Sequence, residues 1–450
     1  MNTSTLALAI GTGIVGLQFA SLSCANGFIE DSKASLGLRN FYFNQDNRSG
    51  PAAPSKTEEW GQGFLLNYQS GYTAGPVGVG VDALGRLGIK LDSGSRVNKA
   101  GRSRNPGQLF PQDSDGSVVD EFGSLGLTGK LRLSKTEARI GTLQPRLPVV
   151  VFNDGRLLPQ TFTGGQITSN EFADLTLIGG QLEHAQGRDS SDDQSLSVAG
   201  ANDPKPGQFS NKFYYGGADY RLGKTLLLQY YYGNLKQFYQ QHFLGLTHTL
   251  ALPAGSLISD LRYFRSSADG HNASAAGRAE GYRITDARLA SDPDKGKVDS
   301  SLRSANFTWK VGGHALGLGF QENDGLSEHA RLNQGNGTSS YDVGGRMIGS
   351  FLRPEQRTWL AGYSYDFAAL GTPGLTFGVS YNKSDNIAVA RQSRTEKEWE
   401  RDLRLAYVVQ SGPLQGLGLA WMNASLRSSL ASQRNIDENR VILSYALALF

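Results

Sequence analysis

In the stretch SLGLTGKLRLS (residues 124–134), Lys130 and Arg132 stand two positions apart. In an extended chain that spacing puts both cations on one side, about 6.6 Å from each other, and Leu125, Leu127, Leu131 and Leu133 on the opposite side. Other cations fall in comparable settings. Arg39 points away from Leu36 and Leu38, Arg156 sits in NDGRLL, and Arg404 lies between Leu403 and Leu405. A spaced row of fixed cations attracts an anion and passes it on, provided no single one binds it too tightly. Arginine suits a carboxylate because its planar fork presents two donors at once. Asp82 lies opposite Val77, Val79 and Val81, and there it balances this charge or meets a cationic group on a solute. A second use of the same cations is to pair with carboxylates such as Asp154 and hold a segment in place.

Catalytic chemistry finds no comparable support. His184, His242, His248, His271, His314 and His329 are scattered, without the spacing of metal ligands. There is no GxSxG or HExxH pattern, so no catalytic residue, metal site or cofactor is assigned, and an enzyme is not expected. A net charge of +3 is too small to suggest a nucleic-acid partner.

The elements that must position these side chains read as strands. Trp359, Ala361, Tyr363, Tyr365 and Phe367 alternate with small or polar residues. After Gly371-Thr-Pro-Gly374 the alternation resumes with Leu375, Phe377, Val379 and Tyr381. A second hairpin pairs Leu403, Leu405 and Tyr407 with Leu417, Leu419 and Trp421. The last strand places Val441, Leu443, Tyr445, Leu447 and Leu449 on one face and terminal Phe450 on the other. Between strands, residues 92–120, 183–208, 266–300 and 321–356 are polar and read as exposed external loops. Long loops alternate with tight turns, and roughly sixteen to eighteen strands fit the length. In a soluble sandwich the leucines of 124–134 would face a core. In a transmembrane barrel they face lipid and the cations line water.

One segment breaks the rhythm: GTLQPRLPVVVFNDGRLLPQTFTGG (residues 141–165). Pro145, Pro148 and Pro159 would interrupt a hydrogen-bonding ladder, and Val149 to Phe152 form a short apolar run among Arg146, Asp154 and Arg156. It reads either as a loop folded into the barrel mouth to narrow it or as an external loop packed on itself. Its apolar run would form one side of a constriction or fasten the loop to the wall.

Composition agrees with strands in a membrane. The chain has 57 glycines, 21 Phe and 18 Tyr but only 3 Met in 450 residues. After residue 20 no run of eighteen apolar residues occurs, as helical spans would need. Residues 4–20 form a short apolar core, with cleavage expected after Ala25, so residues 1–25 read as a signal peptide and 26–450 as a single barrel. Cleavage there removes Cys24, the only cysteine. A barrel-based outer-membrane enzyme or adhesin and a soluble carbohydrate-binding β-protein are the rival readings.

Several stretches resemble one family, the OprD-type outer-membrane porins of pseudomonads and relatives. They include GFIEDSKASLGLRNFYFNQD (27–46), GFLLNYQSGYTAGPVGVGVDALGRLGIKLD (63–92), LRLSK (131–135), RLLPQTFTGGQITSNEF (156–172), TWLAGYSYDFAALGTPGLTF (358–377) and YVVQSGP (407–413). The resemblance implies an all-β fold, a transmembrane antiparallel β-barrel of eighteen strands, with 141–165 as the inward-folded constriction loop. It implies a channel for small water-soluble nutrients, mostly carboxylate-bearing, in the outer membrane of a Gram-negative bacterium. Its surroundings would be outer-membrane lipid and lipopolysaccharide, and its state a monomer or weak trimer. Arg39, Arg132 and Arg156 match the family's row of lumenal basic residues, and Arg404 has lumenal parity. At other positions often basic in relatives this chain has Gln240, Gly362, Ser380, Ala420 and Met422. The row is thinned toward the C-terminus, so weaker anion attraction and a larger, more apolar or neutral solute are expected.

Overall fold

The structure is a computed structural model and describes residues 27–48, 55–93, 108–114, 117–198, 208–284, 291–332, 347–388 and 396–450. The expected signal peptide lies outside the described residues. Its main sheet contains 19 hydrogen-bonded segments. One of these, Asp193–Ser195, is a three-residue addition to a strand end. The other eighteen form the wall.

In chain order the first strands are β1 (Lys33–Asn47), β2 (Lys56–Gln69), β3 (Val77–Ser93), β4 (Glu121–Leu133) and β5 (Thr136–Leu143). β6 (Thr161–Ser169), β7 (Leu175–Gln186), β8 (Phe213–Leu222), β9 (Leu226–Leu235) and β10 (Tyr239–Ala251) follow. Then come β11 (Ser256–Ala268), β12 (Asp299–Val311), β13 (His314–Gly325) and β14 (Arg357–Asp366). β15 (Leu375–Asp385), β16 (Glu398–Val408), β17 (Gly418–Ser428) and β18 (Ile436–Ala448) complete the wall. Each strand pairs antiparallel with the next, and β18 returns to β1 with Ile442 opposite Phe41 and Ser444 opposite Arg39. Closure leaves no sheet edge, which a strand structure in lipid requires.

The alternation is inverted relative to a soluble protein. On β4, Leu125, Leu127, Leu131 and Leu133 are 69%, 58%, 45% and 53% exposed, while Thr128 and Lys130 are buried. The leucines form the outside and the polar residues the inside, so the sandwich reading fails and the barrel reading stands. Trp60, Trp359, Trp421 and Tyr230 are also exposed on this outer surface, as interfacial aromatics are. Phe450 lies two residues beyond β18, outside the strict alternation, and its ring packs edge-on against Tyr68, 6.5 Å away.

Turns alternate in length, with 134–135 and 312–313 at one end and 269–298 and 326–356 at the other. Short turns mark the periplasmic end and long crossings the extracellular end. The long crossings are not simply exposed, as their polarity suggested. Leu109, Phe110 and Val118 pack inside the barrel on Phe41, Phe43, Leu65 and Phe122. Ile284, Val298 and Leu352 join a second interior cluster around Phe238, Phe243 and Phe264. An average over a segment hides the few apolar residues that anchor it. Glycine on the wall makes room for them: a Cβ on Gly61 would lie 2.4 Å from the Phe110 ring.

Candidate channel constriction

Residues 144–160 leave the wall at the end of β5 and rejoin it at β6. Residues 141–143 and 161–165 belong to those strands, so the inserted loop is shorter than 141–165. Within it, Arg146–Leu147 pairs with Val150–Val151, with Pro148 in the turn between them. The Phe152 amide donates to the Pro145 carbonyl at 2.9 Å and the Gln160 amide to the Asn153 carbonyl at 2.8 Å. The loop thus pairs part of its backbone internally despite its prolines. Val149, Val150 and Phe152 are buried in a cluster with Phe162, Phe213 and Tyr231. A Cβ at Gly233 would lie 3.0 Å from that of Val149. The apolar run therefore fastens the loop to the wall.

Two arginines clamp its other side. Arg39 is 4% exposed, and its Nη1 donates to Asp154 Oδ1 at 2.8 Å and to the Arg156 carbonyl at 2.7 Å. A second bond runs from Nη2 to Asp154 Oδ2 at 3.3 Å. Arg86 on β3 donates to the Pro159 carbonyl and to Gln186 Oε1. Arg39 and Asp154 are thus brought together as a pair, and Arg86 is a loop anchor that sequence reading passed over. Its only signal was parity, two steps on from Lys130's partner Asp82 by way of Leu84.

Beside this clamp lies a group of cations. Arg156 Nη2 donates to Gln108 Oε1 at 3.2 Å, and its guanidinium lies over the Phe43 ring at 4.8 Å. Burial, with Arg440 and Arg188 close by, holds the Arg156 guanidinium well below its usual range. Burial likewise pulls Arg188 down to about 10. Arg440 on β18 is paired with Glu438 at 2.6 Å and donates to the Met347 carbonyl at 2.9 Å. Arg188 and Arg440 were also missed, because the positions that bring them to Arg156 are 32 and 284 residues away in the chain. Glu438 and Asp189 offset part of this charge, and the remaining cationic donors, with little water around them, favour an arriving anion.

Toward the short-turn end, below the loop, a cavity of about 620 Å³ is lined by Asp82, Arg132, Lys135, Glu137, Arg139 and Arg146, among others. Lys130 is buried, with its ammonium 2.6 Å from Asp82 and 2.7 Å from the Ser70 carbonyl. Arg132 lies over the Tyr72 ring at 4.2 Å and Arg146 over Phe152 at 4.4 Å. Neither forms an ion pair among the described residues. The shared face of Lys130 and Arg132 therefore holds two differently employed cations.

Arg404 stands apart from both groups, exposed to the lumen, with Gly378 and Met422 opposite it in register. It forms no ion pair among the described residues. Along the same face of β16, Glu398, Glu400 and Asp402 are buried. Glu398 accepts from Arg353 Nη1 at 2.8 Å, and Glu400 accepts the Ile348 and Gly349 amides at 2.9 and 2.6 Å. These acids hold residues 347–353 inside the barrel, much as Arg39 and Arg86 hold the constriction loop. The alternating EWERDLR pattern carried the signal for them.

The positions where basic residues were expected are resolved one by one. A Cβ on Gly362 would meet only the Val379 carbonyl oxygen, at 3.9 Å, Ser380 donates to Asp402 Oδ2 at 3.4 Å, and Met422 packs with Phe41 and Phe43. Ala420 faces Ile442 across the β17–β18 pair. Gln240 does not belong to the lumen. Tyr239, Gln241 and Phe243 take the buried interior parity, and Gln240 donates to Ser267 Oγ on the other side. Its register is set by the wall rather than by the local polar string.

A closed barrel with an apolar outside, a charged interior and a loop clamped across that interior defines an outer-membrane channel. The profile of outer membrane porins of the OprD family matches residues 26–449. The chain belongs to that family, whose members are channels and not enzymes. It is 36% identical to the porin-like protein GalP of Pseudomonas putida, with both chains covered in full. To Porin D of Pseudomonas aeruginosa it is 31% identical over all of this chain and 99% of that one. Among solved structures, P. aeruginosa OccK8 (OprE) superposes with a TM-score of 0.85 at 52% identity, covering 94% of this chain and 100% of that one. P. aeruginosa OpdK with vanillate superposes with a TM-score of 0.81 at 36% identity over the same shares.

Proposed function

We propose that this substrate-specific porin passes small organic molecules bearing a carboxylate, and that the cation group at Arg156 captures them. The observation that carries the proposal is the placement of Arg156 at the constriction, over the Phe43 ring and bonded to the neutral Gln108, where burial first and the neighbouring Arg440 and Arg188 second hold its guanidinium below its usual range. A carboxylate arriving there relieves repulsion among cations already out of bulk water, and it finds charge-assisted donors in place. The vanillate in the OpdK structure is an aromatic carboxylate, and it supports the same solute class for a relative.

From the extracellular side the solute meets Arg156 beside the ring of Phe43, so the head of an aromatic acid has a cation and its body an apolar face. Beyond the loop, Arg132 and Arg146 receive it in the lower cavity, with Asp82 and Glu137 weakening their hold. Arg404 adds a further cation on the β16 wall. Arg39 and Lys130 act on the loop and wall, since each is already paired. With Gly362, Ser380, Ala420 and Met422 at wall positions and an acidic row on β16, attraction for simple anions is weak.

Swelling of liposomes in a panel of monoaromatic acids, their neutral amides and sugars tests the class. The acids should enter fastest, and Arg156→Gln should slow them about tenfold, the loss of one charge-assisted bond. Equal rates for acids and amides in the wild-type channel would overturn the assignment. Reversal potentials in a salt gradient should show chloride and potassium permeabilities within a few-fold of each other. Strong chloride preference would contradict the thinned row.

A further inference from the structure

The outer surface carries a charge pattern that the transport reading does not use. At the extracellular rim, outward cations are mostly neutralised in place. Arg303 pairs with Glu322 at 3.4 Å and Asp324 at 3.1 Å, Arg265 with Asp299 at 2.6 Å, and Arg48 with Asp437 at 2.7 Å. The face of β14 to β17 differs. Outward parity there brings together Arg357, Lys383, Lys397, Arg401 and Arg427, with Asp385 as the single outward carboxylate within those strands. Arg357 and Arg427, at the flanks, reach carboxylates on neighbouring strands, Glu322 at 3.0 Å and Asp437 at 2.8 Å. The central three do not. Lys383 and Lys397 are exposed and form no ion pair among the described residues. Arg401 donates only to neutral acceptors, Asn423 Oδ1 at 2.8 Å and Ser425 Oγ at 3.2 Å, and its Nε has no partner.

Their height in the membrane follows from strand geometry. Lys383 is eight residues above Leu375 and Lys397 ten above Tyr407, both at the periplasmic end. At about 3.3 Å per residue and a tilt of about 40°, those are rises of roughly 20 and 25 Å. The apolar band of such a barrel is about 25 Å tall. By the same measure Arg401, six residues above Tyr407, rises roughly 15 Å. Lys397 therefore stands at the outer edge and Lys383 and Arg401 in the upper part of the band, from where long stems lying along lipid can carry their heads toward the headgroups. Exposed Trp359, Tyr381 and Trp421 lie on the same face at or below that level, as interfacial anchors do. Lys383 and Arg401 are diagonal neighbours across the β15–β16 pair, since Tyr381 is opposite Arg401 and Lys383 opposite Trp399. Diagonal Cβ atoms lie about 7 Å apart, a gap that two long cationic side chains close around one phosphate.

We propose that this face docks the phosphorylated glycolipid of the outer leaflet, with Lys383, Lys397 and Arg401 on a lipid A phosphate and the acyl chains along Trp359, Tyr381 and Leu405. Charge complementarity selects this occupant. An unneutralised cationic group that rises to the lipid–headgroup boundary at Lys397 fits a phosphate fixed at that level by its own acyl chains. The proposal is independent of which solute the lumen passes.

Native mass spectrometry of the detergent-purified full barrel, titrated with lipopolysaccharide, tests it. The wild-type barrel should retain at least one glycolipid. Lys383→Gln/Lys397→Gln/Arg401→Gln should bind at least tenfold less, and Arg303→Gln, from a neutralised pair, should match wild type. Lipid A stripped of phosphate should bind the wild type as weakly as intact glycolipid binds the triple variant. Heat-modifiable gel migration and unchanged conductance certify the triple variant as folded. If it does not fold, Lys383→Gln alone should weaken binding about threefold. Retention of glycolipid by the folded variant overturns the proposal, as does equal binding of dephosphorylated lipid A. Equal binding of phosphatidylglycerol removes the glycolipid assignment.

Discussion

At the scale of single residues, a lumenal charge has two possible employers, the solute and the loops. Arg39 shows the second use most clearly, because Asp154 and two loop carbonyls take its donors. Breaking such a buried pair leaves a charge without its partner and costs about 3–5 kcal/mol. Asp154→Ala should therefore release the loop rather than remove a solute contact. Planar-bilayer recording should show larger and noisier single-channel conductance, while Arg156→Gln should leave conductance near wild type and slow organic acids. If Asp154→Ala conducts as the wild type does, the clamp does not set the aperture. Sequence parity placed Arg39, Lys130 and Arg132 toward the inside correctly. It had no means of dividing them between roles, since the partners Asp154, Asp82 and Tyr72 come from other strands and a loop.

At the scale of elements, the constriction loop is a hairpin pressed on the wall by apolar burial. Phe152 is buried with Phe162, Phe213 and Tyr231, so Phe152→Ala should cost about 3–5 kcal/mol of that attachment. Trypsin added to the folded barrel should then cut at Arg146 or Arg156 much faster than in the wild type. Unchanged protection would mean that the arginine clamps alone suffice. Gly233→Leu tests the same contact from the wall, since its side chain would enter the space of Val149. The long crossings repeat the lesson. A few apolar residues, such as Leu109, Phe110 and Leu352, draw otherwise polar segments inward, and averaging over thirty residues conceals them.

At the scale of the whole molecule, the barrel is stable only because lipid covers its leucines. Leu127, 58% exposed and near the middle of β4, meets hydrocarbon. Leu127→Arg should cost about 2–4 kcal/mol, as a cation near the midplane of a barrel does. Folding titrations in phospholipid vesicles would read that loss, whereas a lumenal substitution such as Ser380→Ala should scarcely change the midpoint. Equal midpoints for both would mean that β4 does not face lipid.

By itself the sequence determined the strand class, the inside and outside of the clearly alternating strands and the segment destined for the mouth, because a period of two is local and a proline-broken run announces a departure from the ladder. It also carried the family, through motifs spread along nearly the whole chain. Only the tertiary structure decided that Arg86, Arg188 and Arg440 join the constriction, that Gln240 lies outside the lumen, and that Glu398 and Glu400 hold a loop. Those assignments depend on ring closure and on strand register across distant positions. Closure brings β18 beside β1, and no window along the chain contains that contact.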